Sequence, residues 1–413
     1  MKKIFIVLIM LGAMNASGQW VPTYAPIGGT VDALVYSGSN IFAGTHYNGV
    51  FLSTNNGINW TVKGLTGVEI SSLAVSGTNI FAGANNSGVY LSTNNGSNWT
   101  GVNTGLSGQN VRTVAVSGTN IFAGTFNGGV FLSTNNGANW SSVGLTDRGI
   151  WTFAVSGTNI YAGTYNTGGV YLSTDNGANW TLKGLNNIPI WSLAVSGSNI
   201  YAGTDGMMYL STNNGTNWTE YLLTSATLRI RSIAISGDKI FAGISDHGAL
   251  HGDGVYLSTN NGANWTNKNQ GFSYPPPSIH SLLIVNSSIF AGAFANTAGS
   301  VWHRVLSEIL QVQSISAETP SAFSLGQNYP NPFNPVTIIS FQLPVVSNVV
   351  LKVYDVMGKE VAMLVNERLQ AGTYEVKFDA RQGGSSRGLN SGVYFYRLTT
   401  EEFSETKRMM LIK

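Results

Sequence analysis

The strongest constraint on this chain is a tandem repeat. The tetrapeptide Ile41-Phe42-Ala43-Gly44 returns, with Tyr sometimes in place of Phe, in copies that end at Gly83, Gly124, Gly163, Gly203, Gly243 and Gly292. Seven copies at a period of about 40 residues fit a fold built from four-strand units, each of which buries its apolar face only against its neighbours. Each unit reads as strands: an apolar run such as Leu73-Ala74-Val75, a Ser-Gly-Thr-Asn turn, the Ile-Phe-Ala-Gly strand, a Gly-rich loop, then Gly-Val-Tyr-Leu-Ser. Short runs of β-branched and aromatic residues between Gly and Asn turns form strands, not helices. Composition agrees, since 50 glycines and only 10% charged residues favour turn-rich β structure, and 43% hydrophobic residues allow full cores.

A fourth strand follows the motif Ser-Thr-Asn-Asn-Gly-x-Asn-Trp, which runs from Ser53 to Trp60 and recurs ending at Trp99, Trp140, Trp180, Trp218 and Trp265. It resembles the Asp-box, or BNR repeat, of sialidases, sortilin-type receptors and photosystem assembly factors, where the box is a structural hairpin between the third and fourth strands of a propeller blade. The usual Asp is Asn at Asn55, Asn94, Asn135, Asn213 and Asn260, and Asp only at Asp175. A short polar side chain still closes such a turn by bonding nearby backbone amides.

Six boxes against seven Ile-Phe-Ala-Gly strands leave the last unit one strand short. Gln19-Trp20-Val21 stands before Gly44 at the spacing that each box Trp keeps to the next such Gly. The N-terminus is therefore expected to complete the last blade, after Val301-Trp302-His303-Arg304, and to close the ring without a free edge. The expected fold is all-β: a seven-bladed β-propeller of four-stranded blades followed by a small Ig-like β-sandwich. A β-solenoid is the competing architecture, but it needs terminal caps and has no use for a split unit.

Residues 1–18 read as a signal peptide. Lys2 and Lys3 precede an apolar run from Ile4 to Met14 and the small residues Ala16, Ser17 and Gly18, with cleavage expected before Gln19. No later stretch has the roughly 20 apolar residues of a membrane span. A net charge of +2 and the lack of a basic stripe give no footprint for nucleic acid, and the absence of cysteine excludes disulfides and thiolate metal sites.

From Pro320 the repeat stops. Asn328-Tyr329-Pro330-Asn331-Pro332-Phe333-Asn334-Pro335 opens a new segment. Val353-Tyr354-Asp355, Gly358-Lys359-Glu360, Ala371-Gly372-Thr373-Tyr374, Ser391-Gly392-Val393-Tyr394-Phe395-Tyr396-Arg397 and Lys407-Arg408-Met409 then follow in order. These landmarks closely resemble the type A sorting domain of the type IX secretion system in Bacteroidetes. The resemblance implies export across the outer membrane, engagement of the secretion machinery with its sortase-like peptidase, and release or attachment to surface lipopolysaccharide. The expected division is signal peptide 1–18, propeller 19–306, linker 307–322 and sorting domain 323–413, with the protein secreted or on the outer cell surface, reached through the periplasm.

Laying the units over one another picks out the residue before the Ser or Thr that starts each innermost strand: Asp32, Ser71, Arg112, Trp151, Trp191, Arg231 and His280. These are expected to ring the mouth of the central channel, where two Trp, two Arg, an Asp and a His suit a sugar or peptide. The bland alternative is that they pack between blades and plug the channel. Asp246, His247, His251 and Asp253, in the sixth unit's Gly-rich loop, carry the residue types of a divalent-metal site, though no helical spacing sets them on one face. His46, Tyr47, Phe126, Tyr165 and Asp205 read as ordinary surface, and no other cofactor is indicated.

An enzyme reading follows from the sialidase resemblance, with Arg112, Arg148, Arg229 and Arg231 available for a substrate carboxylate and Glu69, Asp147 and Asp205 as scattered acids. The early Arg-Ile-Pro motif of that family is absent. The favoured expectation is a non-enzymatic secreted or cell-surface module that recognises a glycan, peptide or protein. The alternatives are a sialidase-like glycoside hydrolase and a purely structural cell-envelope component. A binding module should expose Trp151 and Trp191, and an enzyme should bring carboxylates together there.

Overall fold

The computed structural model describes residues 19–23, 29–106, 110–246, 252–294, 300–309, 312–316, 318–381 and 389–413. The signal-peptide reading of residues 1–18 therefore lies outside the described residues. Seven four-stranded antiparallel sheets account for the repeat region among the described residues. The first runs Val31–Ser37, Asn40–Thr45, Val50–Ser53 and Thr61–Val62, in that order from inside to outside, and the next five repeat the plan.

The seventh sheet departs from that plan. Its outermost strand is Val21–Pro22, from the opposite end of the chain, paired antiparallel to Val301–Val305 with Val21 opposite His303. Innermost strands lie side by side in chain order, and Ile279–Val285 of the seventh sheet packs against Val31–Ser37 of the first. The succession of sheets thus returns to its start, and the channel they surround is walled by those innermost strands.

The repeated tetrapeptide follows from packing between sheets. Its Ile, aromatic residue and Ala are buried in every copy, as at Ile121, Phe122 and Ala123. A β-carbon added at Gly124 would come within 2.6 Å of Cγ2 of Ile150, the first residue of the next sheet's inner strand, so only glycine lets the neighbouring sheet approach this closely. The Ser-Thr-Asn-Asn-Gly turn is equally uniform. In the first copy, Asn55 Oδ1 accepts from the Asn59 amide at 2.9 Å and Ser53 Oγ accepts from the Gly57 amide at 2.8 Å. Only one side-chain acceptor is used, which is why Asn serves where the resembling family has Asp. Asp175 adds only a second contact, from Asn179 Nδ2 to its Oδ2.

The C-terminal segment folds as two four-stranded antiparallel sheets that share one core, including Phe333, Phe341, Val353, Val376, Tyr396 and Leu411. One element corrects the sequence expectation. Val312–Ser316, read as linker, pairs with Gly372–Asp379 as an edge strand of this domain, and the short helix Leu306–Ile309 before it packs on Trp20 and Trp302. Alternation in Val312-Gln313-Ser314-Ile315-Ser316 is too short to be told from a loop by periodicity alone. The Pro-rich opening has a packing role: Phe333 is buried, its amide donates to Met410 O at 2.9 Å, and Asn331 Oδ1 accepts from the Met410 amide, so it clasps the last strand.

Candidate binding site at the channel mouth

The aligned positions do gather around one cavity. Asp32, Ser71, Arg112, Trp151, Trp191, Arg231 and His280 all line a depression of about 650 Å³ at one end of the channel. The backbone explains why. In six of the seven sheets the pairing register between the two innermost strands slips at this residue, for instance between Val111 and Thr113 and between Ile279 and Ser281, so each ring residue is the extra residue of a β-bulge. A bulge leaves one residue unpaired and re-aims its side chain, here towards the channel. In the fifth sheet Trp191 instead stands just before the strand Ser192–Ser196.

A second ring lies behind the first, two residues after each repeat glycine: His46, Asn85, Phe126, Tyr165, Asp205, Ser245 and Phe294. Sequence reasoning left the members it considered as plain surface, yet each meets a residue of the mouth. His46 Nδ1 contacts Asp32 at 3.3 Å, Asn85 donates to Glu69 at 2.8 Å, Asp205 accepts from Trp191 Nε1 at 2.7 Å, and Ser245 Oγ lies 3.1 Å from His280 Nε2. Phe126 and Tyr165 back Arg112 and the two tryptophans, and Phe294 faces His280. A third set stands two residues before the ring, and contributes Glu69 and Arg229 to the lining. The fixed offset from the glycine was the signal that could have found the second ring.

The mouth has two unlike sides. Sheets three to five supply an aromatic wall in which Trp151 and Trp191 meet edge to face at 4.9 Å and Tyr165 lies 5.5 Å from Trp151. Sheets six, seven, one and two supply charge. Asp32 has a side chain only 9% exposed and faces His280 Nδ1 at 2.8 Å, His46 Nδ1 at 3.3 Å and Arg231 at 3.6 Å. Burial alone would raise its pKa, but the hydrogen bonds from His280 and His46, with the charge of Arg231 behind them, hold the carboxyl well below the usual range. Because a carboxylate only accepts, His280 Nδ1 carries the proton, and burial lowers that imidazole's pKa and keeps it neutral. His46 is raised, chiefly by its hydrogen bond to Asp32.

The arginines lie against the aromatic wall. Arg229 Cζ is 3.8 Å from the Trp191 ring centre, and Arg112 Cζ is 4.7 Å from Trp151 and 5.6 Å from Phe126. This changes the role assigned to Trp191. It is 3% exposed, covered by Arg229 and hydrogen-bonded to Asp205, so it is a packed wall and not an open platform for a ligand. Trp151 is half-buried and keeps some surface in the cavity.

Of the scattered acids, Glu69 converges with Asp32 of the ring. Both touch His46 Nδ1, at 3.5 and 3.3 Å, so their nearest oxygens are no more than about 7 Å apart, below the upper limit of the roughly 5–9.5 Å that paired glycosidase carboxylates span. Asp147 and Arg148 pair with each other outside the cavity lining. His247 and His251 of the suggested metal site lie outside the described residues. Asp253 is engaged by Tyr256 Oη at 2.6 Å and Thr224 Oγ1 at 3.1 Å, and among the described residues no group of three or more His, Asp or Glu is arranged to hold a metal ion.

The fold and the tail together define an exported propeller protein. A model described as the DUF6242 beta propeller domain matches residues 81–190, and one described as the secretion system C-terminal sorting domain matches residues 327–413. The chain carries a β-propeller domain and a type IX sorting domain, which indicates export to the cell surface or secretion and implies engagement of that secretion machinery. Among the described residues no helix is long and apolar enough to cross a membrane. No curated protein matches the chain.

Solved structures match it at low identity. YCF48 bound to D1 peptide is 13% identical with a TM-score of 0.55, over 70% of this chain and 95% of that one. PorZ, an essential bacterial surface component of the type IX secretion system of Porphyromonas gingivalis, is 15% identical with a TM-score of 0.53, over 93% of this chain and 60% of that one. An ancestral GH74 enzyme is 17% identical with a TM-score of 0.56, over 96% of this chain and 64% of that one. At these identities the likeness is one of fold.

Proposed function

We propose that the protein is a secreted or surface-held recognition module, a seven-bladed Asp-box-like propeller with an Ig-like sorting sandwich, whose channel mouth binds an extracellular ligand without transforming it. One observation carries this reading: Arg112, Arg229 and Arg231 converge on an open cavity, and among the described residues none of their guanidinium groups makes a hydrogen bond. Their carboxylate contacts, at 3.5 to 3.6 Å, are charge contacts only. A plug built for stability would satisfy such donors, since unmet buried polar groups are costly. The peptide-bound state of YCF48 and the surface location of PorZ are compatible with this role.

The test is binding of the full chain to glycan and peptide arrays beside an Arg112→Gln/Trp151→Ala variant. Binding lost in a variant that keeps its β-sheet circular dichroism supports the reading, and no binding by folded protein leaves the structural role. A second reading, glycoside hydrolysis, is favoured by the Asp32/Glu69 pair. Asp32 is held ionised and cannot serve as the acid, so Glu69 would have to. Release of reducing ends that Glu69→Gln abolishes would establish it.

A further inference from the structure

Resting on that recognition reading, we infer that the ligand group entering the mouth is a carboxylate on a polyhydroxylated ring, the chemistry of an acidic sugar of the uronic acid class. Three features of the cavity converge on it. Arg112 and Arg229 lie with Cζ 4.7 and 3.8 Å from the ring centres of Trp151 and Trp191, and among the described residues their guanidinium groups make no hydrogen bond, only charge contacts to Glu69 at 3.6 Å and Asp205 at 3.5 Å. Arg112 Nε is buried without a hydrogen-bond partner. A guanidinium fork held in this way matches the two oxygens of a planar carboxylate.

The charge count limits the anion. Arg112, Arg229 and Arg231 already face Glu69, Asp205 and Asp32, so the mouth has little surplus positive charge with which to hold a dianion such as phosphate. The same acids set the rest of the ligand. Asp32 and Glu69 can only accept hydrogen bonds, so a group seated beside the arginines must also present donors within a few ångströms, as vicinal hydroxyls on one ring do. An apolar or purely anionic body would leave those oxygens opposed. A depression of about 650 Å³ is the right size for one or two sugar rings. Because arginines cover much of the aromatic wall, the affinity comes from polar contacts and not from ring stacking.

The experiment uses trigalacturonate and its methyl ester, which keeps the rings and removes the charge, titrated calorimetrically into the full chain. The acid is expected to bind at least tenfold more tightly than the ester. Arg112→Lys, which keeps the charge but loses the fork, should weaken the acid at least tenfold, whereas Lys239→Gln, at the start of the strand Lys239–Asp246 and at the end of its sheet away from the mouth, should change nothing. Equal binding of acid and ester would overturn the inference and leave the recognition reading standing. Inorganic phosphate competing as well as the acid, or tight binding only of a peptide with a free C-terminal carboxylate, would also overturn it. No binding of any probe or array ligand by folded protein would remove both.

Discussion

Asp32 is held from three directions: by His46 on its own sheet, by His280 on the seventh and by Arg231 on the sixth. Replacing it with Asn leaves Arg231 and His46, both partly exposed, without their counter-charge, and the expected loss is about 1.5–3 kcal/mol at neutral pH, the range for hydrogen bonds to a charged group. Its folded pKa is depressed, so its contribution is present above the unfolded value near 4 and is lost as the pH falls below it. Urea denaturation of wild type and Asp32→Asn should therefore show a gap that closes on acidification, and a gap constant with pH would contradict this account. His46 has the opposite sign. Its folded pKa is raised, so its advantage over His46→Gln should be complete below about pH 6.5 and vanish as the pH rises through the folded value. His280 has the reverse sign in the adjoining range: its folded pKa is lowered, so its burial costs stability as the pH falls below about 6.5, and the difference between variants, not the wild-type profile, is the quantity to measure. The seven ring positions were legible because the repeats could be laid over one another. That they are bulges was not, since strand alternation does not reveal which residue a ladder skips. The pairing of His46 with Asp32 was also hidden, because it joins side chains from two strands.

Within each sheet the box tryptophan does more than end a turn. Trp99, Trp140, Trp180 and Trp218 each donate their indole N–H to a backbone carbonyl of the preceding sheet, at Lys63, Val102, Val143 and Lys183. Trp60 and Trp265 donate instead to Gly57 and Gly262 inside their own boxes. One sequence pattern thus serves two functions, and the sequence could not distinguish them because the partner belongs to the neighbouring unit. Trp140→Phe should cost about 1 kcal/mol through the lost hydrogen bond between sheets, plus the effect of a looser fit for a residue 4% exposed. Trp60→Phe breaks no bond between sheets and should cost clearly less. Chemical denaturation of the two variants in parallel checks the contrast, and equal losses would show that the bond between sheets contributes nothing of its own.

At the scale of the molecule, Trp20 takes the place of a box tryptophan in the seventh sheet. It is 2% exposed, donates to Lys268 O at 2.6 Å as Trp99, Trp140, Trp180 and Trp218 donate to the sheet before them, and stacks on Phe272 at 4.9 Å. This closure was legible from spacing alone, since Trp20 stands 24 residues before Gly44, inside the 23 to 27 residues that separate each box tryptophan from the next repeat glycine. The strand Val312–Ser316 had no such spacing to betray it. Trp20→Ala should destabilise the repeat domain by about 3–5 kcal/mol, the range for a large core aromatic, and thermal unfolding followed by near-ultraviolet circular dichroism would register it. A midpoint unmoved by the substitution would mean that the first strand is dispensable.

The split of the seventh sheet between the two ends of the repeat region also bears on how such a ring is inherited. Because the join falls inside a unit and not between units, an in-frame duplication of any whole repeat leaves the offset between the two ends unchanged. The orphan strand and the three-stranded remnant still complete each other in a longer chain. A gene of this design can change its number of repeats in one recombination event and still encode a product whose ends can meet.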